Sequence, residues 1–138
     1  MRVPFSGGCA CGAIRYECSA SPLGMGHCHC RDCQRSSGTG HSSVLVVPAA
    51  AVAVTGTPPR SHETRADDGD TVRRGFCPEC GSPLFASSGA HPEFLSIKAA
   101  SLDDPGSFRP TIDAWTSSAQ PWDSMSPETL KFEKDIGA

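Results

Sequence analysis

Seven of the eight cysteines in this chain of 138 residues fall into three short clusters: Cys9-x-Cys11, Cys28-x-Cys30-x-x-Cys33 and Cys77-x-x-Cys80. Thiols so close in the chain would form strained local disulfides, whereas the same spacings suit a tetrahedral metal ion. The third cluster is the most specific. Cys77-Pro78-Glu79-Cys80-Gly81 reads as a zinc knuckle, in which Pro78 presets the turn and Gly81 can take the positive φ that follows it. A chain like this also needs such cross-links. Leu, Ile, Val and Phe make up only 23 of its residues, and 14 Gly and 12 Pro interrupt it throughout. A lean core is commonly supplemented by metal or disulfides.

Ligand arithmetic then constrains the sites. A closed structural zinc takes four protein ligands, and a catalytic zinc keeps three with one position open. Seven clustered thiols divide as four and three. Spacing leaves two pairings open. Cys30 and Cys33 could join Cys77 and Cys80 as a zinc ribbon, stranding Cys9, Cys11 and Cys28. Alternatively Cys9, Cys11, Cys77 and Cys80 close one site, and Cys28, Cys30 and Cys33 form an open one. The second keeps each local cluster on one metal and is preferred. It predicts two zinc ions per chain.

The remaining sequence reads as short strands between turns: Ala13 to Cys18, Ser43 to Val47, Val52 to Thr55, Thr71 to Phe76 after a hairpin tip at Asp67 to Asp70, Pro83 to Ser87, Glu93 to Ala99 and Thr111 to Trp115. Helical turns are expected only over Arg31 to Ser37 and Pro127 to Phe132. The expected fold is mainly β, small antiparallel sheets around zinc sites, in one domain over residues 1–138. Strand order does not follow from these signals. The net charge of −3, with no Lys/Arg run, argues against nucleic acid or an anionic membrane as partner. The first residues hold no apolar stretch of signal-peptide length, and none spans a bilayer. A cytoplasmic protein with reduced thiols is expected.

The combination Gly8-Cys9-x-Cys11-Gly12-x-x-x-Tyr16, His27-Cys28-His29-Cys30-x-x-Cys33-Gln34-x-x-x-Gly38 and Phe76-Cys77-x-x-Cys80-Gly81-Ser82 resembles the glutathione-dependent formaldehyde-activating enzyme family, which also contains centromere protein V. Ala114-Trp115-Thr116 with Pro121-Trp122 is similar to that family's C-terminal tryptophan segment. The resemblance runs from Gly8 to Trp122. It implies a fold shared with a small zinc-binding chaperone of guanine-nucleotide exchange. It also implies structural zinc on Cys9, Cys11, Cys77 and Cys80, and a zinc on Cys28, Cys30 and Cys33 that meets substrate. The implied activity is that of a carbon–sulfur lyase, an S-(hydroxymethyl)glutathione synthase acting on a small thiol such as glutathione and a small aldehyde such as formaldehyde. Zinc suits this chemistry because it keeps a thiol ionised near neutral pH.

Several residues carry a plain reading beside the functional one. Cys18 stands outside the clusters and is expected to be a small buried hydrophobe. His27 and His29 alternate with Cys28 and Cys30, so an extended backbone turns them away from the metal face; the alternative is that one of them, being so near, enters the coordination sphere. Arg31 and Arg35 flank the trio and are the candidate substrate-binding residues, since Arg grips carboxylates in bidentate fashion; otherwise they are solvated surface cations. Strand alternation exposes one of Arg73 and Arg74. Trp115 and Trp122 line a substrate groove or pack in the core. The rival function is a non-catalytic zinc module that binds a protein partner, which a fourth protein ligand at the trio would favour.

Overall fold

Eleven strands, one α-helix and four single-turn 3-10 helices make up the described residues, 1–136, of the computed structural model. The last two residues of the domain expected over 1–138 therefore lie outside the described residues. The strands are β1 (Phe5–Gly8), β2 (Ile14–Cys18), β3 (Gly24–Cys28), β4 (Ser42–Pro48), β5 (Val52–Gly56), β6 (Arg60–Arg65), β7 (Thr71–Phe76), β8 (Pro83–Ser88), β9 (Phe94–Lys98), β10 (Ile112–Ala114) and β11 (Leu130–Lys131); the helix α1 covers Arg31–Ser37. They form a three-stranded sheet in the order β1-β2-β5 and an eight-stranded sheet in the order β11-β10-β3-β4-β9-β8-β7-β6. Pairing is antiparallel except where β10 runs parallel to both β3 and β11.

Alternation along the strands explains how the sheets meet. On β4, Leu45 and Val47 are fully buried, while Val44 and Val46 face the other way into a cleft. On β9, Ile97 is fully buried and Ser96 and Lys98 face that cleft. The core is the layer between the sheets, where Ile14, Tyr16 and Cys18 of β2 meet Leu45, Leu84 and Ile97. Tyr16 packs edge-on to Phe85 at 5.5 Å between ring centres, and its hydroxyl lies 2.7 Å from that of Ser101. Burial pushes the Tyr16 hydroxyl up to about 12, so it stays protonated and available to that hydrogen bond.

The helix expected over Pro127 to Phe132 does not form. Leu130 N–H donates to the Thr111 carbonyl at 2.9 Å and Phe132 N–H to that of Asp113 at 2.9 Å, making β11 a partner of β10. Thr129 adds a hydroxyl bond to the Asp113 carboxylate. Long-range pairing outweighs the local preference for a short helix, which is marginal on its own. The strands β1, β3 and β6 lacked a local signal: β1 and β3 are glycine-rich and β6 is almost wholly polar.

Candidate active site and metal centres

The strand–helix unit around β3 and α1 builds the first site. Cys28 ends β3 opposite Ser42 of β4, so residues 29–41 must bring the chain back on itself. It does so through α1, whose first turn is capped by Cys30: its sulfur accepts from the Cys33 N–H at 3.3 Å. Gln34 pins the helix by donating to the His29 carbonyl at 2.7 Å and the Ser118 carbonyl at 3.0 Å. Cys28, Cys30 and Cys33 are thereby brought together, their sulfurs all within 4.8 Å of one another. Among the described residues no fourth Cys, His, Asp or Glu donor joins them.

Crowding three thiols sets their chemistry. Hydrogen bonds from Cys28 and Cys30 hold Cys33 down at about 2, while Cys30 and Cys33 together push Cys28 far above the ordinary thiol range. One thiolate is stable here, and further ionisation requires a cation to offset the repulsion. That donor set fits zinc, which binds thiolates and can retain an open position on three of them.

The second cluster sits at the joint between the sheets. Cys9 and Cys11 lie in the turn between β1 and β2, and Cys77 and Cys80 in the turn between β7 and β8. The knuckle closes with Gly81 N–H donating to the Cys77 carbonyl at 2.8 Å, with Gly81 at φ 77°. Backbone N–H groups face the sulfurs, Ile14 to Cys9 at 3.3 Å and Glu79 to Cys77 at 3.4 Å. Ser82, through its hydroxyl and its backbone, lowers Cys80 to about 5. Cys9 and Cys11 sulfurs are 3.6 Å apart, and those of Cys11 and Cys77 are 3.8 Å apart. Zn–S bonds of 2.3 Å in a tetrahedron separate sulfurs by about 3.8 Å, so these four residues fit a closed zinc site.

The trio opens onto a cleft of about 1060 Å³ that covers one face of the eight-stranded sheet. Arg31 and Arg35 sit on its rim, both exposed, and Arg31 also donates to the Gln34 side chain. Trp115 lines the cleft and donates to the Asp135 carboxylate at 2.9 Å, whereas Trp122 is exposed and stands apart from it. Cys18 is fully buried in the core, away from both clusters. Arg73 is exposed and paired with Glu63; Arg74 turns into the cleft.

Two cleft residues had no functional role in the sequence reading: Lys98, which it did not single out, and Arg74, which it named only for strand alternation. Lys98 is 9% exposed, and burial lowers its ammonium below the ordinary range. Arg74 donates to the Thr64 hydroxyl at 2.9 Å, but its Nε is buried without a partner. Among the described residues no carboxylate forms an ion pair with either of them. Neither residue stands near the trio in sequence; only the β4–β9 and β7–β8 pairings bring them into the cleft.

Fold and site define a class: a small β-rich protein with a cysteine quartet at the joint of two sheets and a cysteine trio on a large cleft. The sequence model of the glutathione-dependent formaldehyde-activating enzymes matches residues 4–118, and the chain belongs to that family. A crystal structure of a Rhodobacter sphaeroides protein shares the fold at a TM-score of 0.56 with 20% identity, over 71% of this chain and 87% of that one. No curated protein matches the chain. No helix among the described residues is long and apolar enough to cross a membrane.

Proposed function

We propose that the chain is a zinc-dependent carbon–sulfur lyase that joins or cleaves a thiol–aldehyde adduct, as its family suggests for glutathione and formaldehyde. The observation that carries this reading is the trio of Cys28, Cys30 and Cys33 on the wall of the cleft, with no fourth Cys, His, Asp or Glu donor among the described residues. A scaffold has no use for such an arrangement. The reading takes residues 1–138 as one domain of the cytoplasm, with a second, structural zinc on Cys9, Cys11, Cys77 and Cys80.

Zinc on the trio would supply a Lewis acid able to keep a substrate thiol ionised or to polarise an aldehyde oxygen. The chain's own residues do the rest. Adduct formation makes one C–S bond; the carbonyl π pair moves to oxygen, which takes a proton as the thiol gives one up. Lys98 and Arg74 place two cations in the cleft, matching the carboxylates of an anionic thiol. Arg31 and Arg35 at the rim extend that positive field to the entrance. Val44, Val46 and Phe94 supply an apolar wall that limits water around the reacting carbon. The cleft is at or above the usual size of small-molecule sites, roughly 300–1,000 Å³, so a tripeptide fits its scale.

Zinc-loaded protein assayed with several low-molecular-weight thiols crossed against small aldehydes tests this. Faster adduct formation or cleavage with at least one pair, lost in Cys33→Ser, is expected. Inertness with every pair would sink the lyase and leave the protein-binding zinc module.

A further inference from the structure

On the reverse side of β3 from the trio, four residues from distant parts of the chain converge: His29 after β3, His41 before β4, Asp113 of β10 and Asp123 of the C-terminal segment. We propose that His29, His41 and Asp123 form a third metal site, for a divalent transition ion of the zinc type.

The first observation is an orphan. His29 is 1% exposed, and its Nδ1 is a buried atom with no hydrogen-bond partner. Its other nitrogen, Nε2, lies 2.7 Å from Asp113 Oδ1. A carboxylate is acceptor-only, so Nε2 carries the hydrogen and Nδ1 presents its lone pair. That lone pair faces Asp123 Oδ2 at 3.5 Å. Two acceptors facing each other away from water are unfavourable unless something positive stands between them. A proton there would draw the pair to hydrogen-bond length, as it does between His41 Nδ1 and the same Asp123 oxygen at 2.7 Å. A metal would not: ligands at 2.0–2.1 Å in a tetrahedron stand about 3.3 Å apart.

The second observation is the construction around the pocket. One donor atom each from His29, His41 and Asp123 lies within 4.8 Å of the others. Asp113 behind His29 orients the ring, as carboxylates behind metal-bound imidazoles do. Asp113 is itself held by the Thr129 hydroxyl. Gly40 admits Asp123, because a Cβ at that position would collide with the Asp123 carboxylate. The 2.7 Å contact between His41 and Asp123 would open by about 0.6 Å as the ion replaced the shared proton. Two imidazoles and one carboxylate suit zinc and its first-row neighbours, whereas calcium and magnesium favour all-oxygen sites. An ion here would tie the residue between Cys28 and Cys30 to the C-terminal segment.

Cobalt(II) titration of the metal-free full-length protein tests this, because thiolate sites give intense sulfur-to-cobalt charge-transfer bands and a nitrogen–oxygen site gives only weak d–d bands. The wild type is expected to bind three equivalents, one of them without charge transfer. Asp123→Asn and His41→Gln should each bind two, with the charge-transfer bands unchanged. That unchanged signal also shows that the variants are folded around their cysteine sites. A wild type that saturates at two equivalents, both with charge transfer, overturns the proposal, whatever the variants do. So does a third equivalent that survives both substitutions.

Discussion

Cys11 Sγ lies 3.8 Å from Cys77 Sγ, although 66 residues separate them in the chain. The contact joins the turn after β1 in the three-stranded sheet to the turn after β7 in the eight-stranded sheet. The two sheets otherwise meet through a small apolar layer, so a metal held at this joint would close the core from its side. Structural zinc in finger peptides binds with an apparent free energy of about 10–16 kcal/mol, comparable to the whole stability of a domain.

The two cysteine clusters should therefore respond differently to substitution. Cys77→Ser and Cys9→Ser are expected to lower the urea midpoint strongly and to leave little folded protein. Cys28→Ser and Cys33→Ser should stay folded while losing one metal equivalent and the lyase activity, since the trio spans only a short loop. Urea melts with metal analysis on the four variants decide this. Equal destabilisation of all four would remove the division of roles.

Cys18→Ala should leave metal content intact. The side chain is fully buried on β2 with its sulfur 3.4 Å from the Ala20 carbonyl, so only a small void results. A loss of about 1 kcal/mol in a urea melt is expected. Loss of a metal equivalent would contradict the cluster assignment.

Lys98→Met should raise the KM for an anionic thiol by roughly 10-fold or more, the size of one charge-assisted hydrogen bond. Arg31→Ala and Arg35→Ala should do so by less, because both side chains are exposed and screened. The aldehyde KM should stay flat in all three variants. Steady-state kinetics with glutathione and with an uncharged thiol separate charge recognition from damage to the site; equal effects on both thiols would take Lys98 out of carboxylate binding.

Arg15 donates to Asp103 at 2.9 Å, and Ser6 donates to it at 2.7 Å, which together hold its carboxyl below the usual range. A depressed carboxyl contributes stability above its unfolded pKa, near 3.9, and that contribution is lost as pH falls through the folded value. Asp103→Asn should thus be less stable than wild type above about pH 5, and the gap should shrink towards pH 2. The pair is exposed, so the effect is small. Urea midpoints across this range check the sign, and a pH-independent gap would show that the carboxylate charge is not involved.

Much of the site was legible in the sequence because its signals are local. Cysteine spacing grouped the thiols, turn residues marked the knuckle at Cys77 to Gly81, and β-branched runs located β4, β5 and β7. The helical turns expected over Arg31 to Ser37 are those of α1. Family resemblance rested on the same short motifs.

What lay beyond reach was everything decided by partners far away in the chain. Strand order, the parallel placement of β10 between β3 and β11, and the rejection of a helix after Pro127 depend on backbone bonds that no short window contains. His29 was visible as a residue between two cysteines, but its meeting with Asp113, 84 positions later, was not. Lys98 reads as the end of an ordinary strand until β4 and β9 pair and alternation turns it into the cleft. Residue spacing alone showed which thiols belong together locally, and the scarcity of Leu, Ile, Val and Phe left the chain short of a large core. Which face of the eight-stranded sheet lines the cleft came from long-range pairing, because a strand's side chains acquire a cleft or a core only when neighbouring strands fix its register.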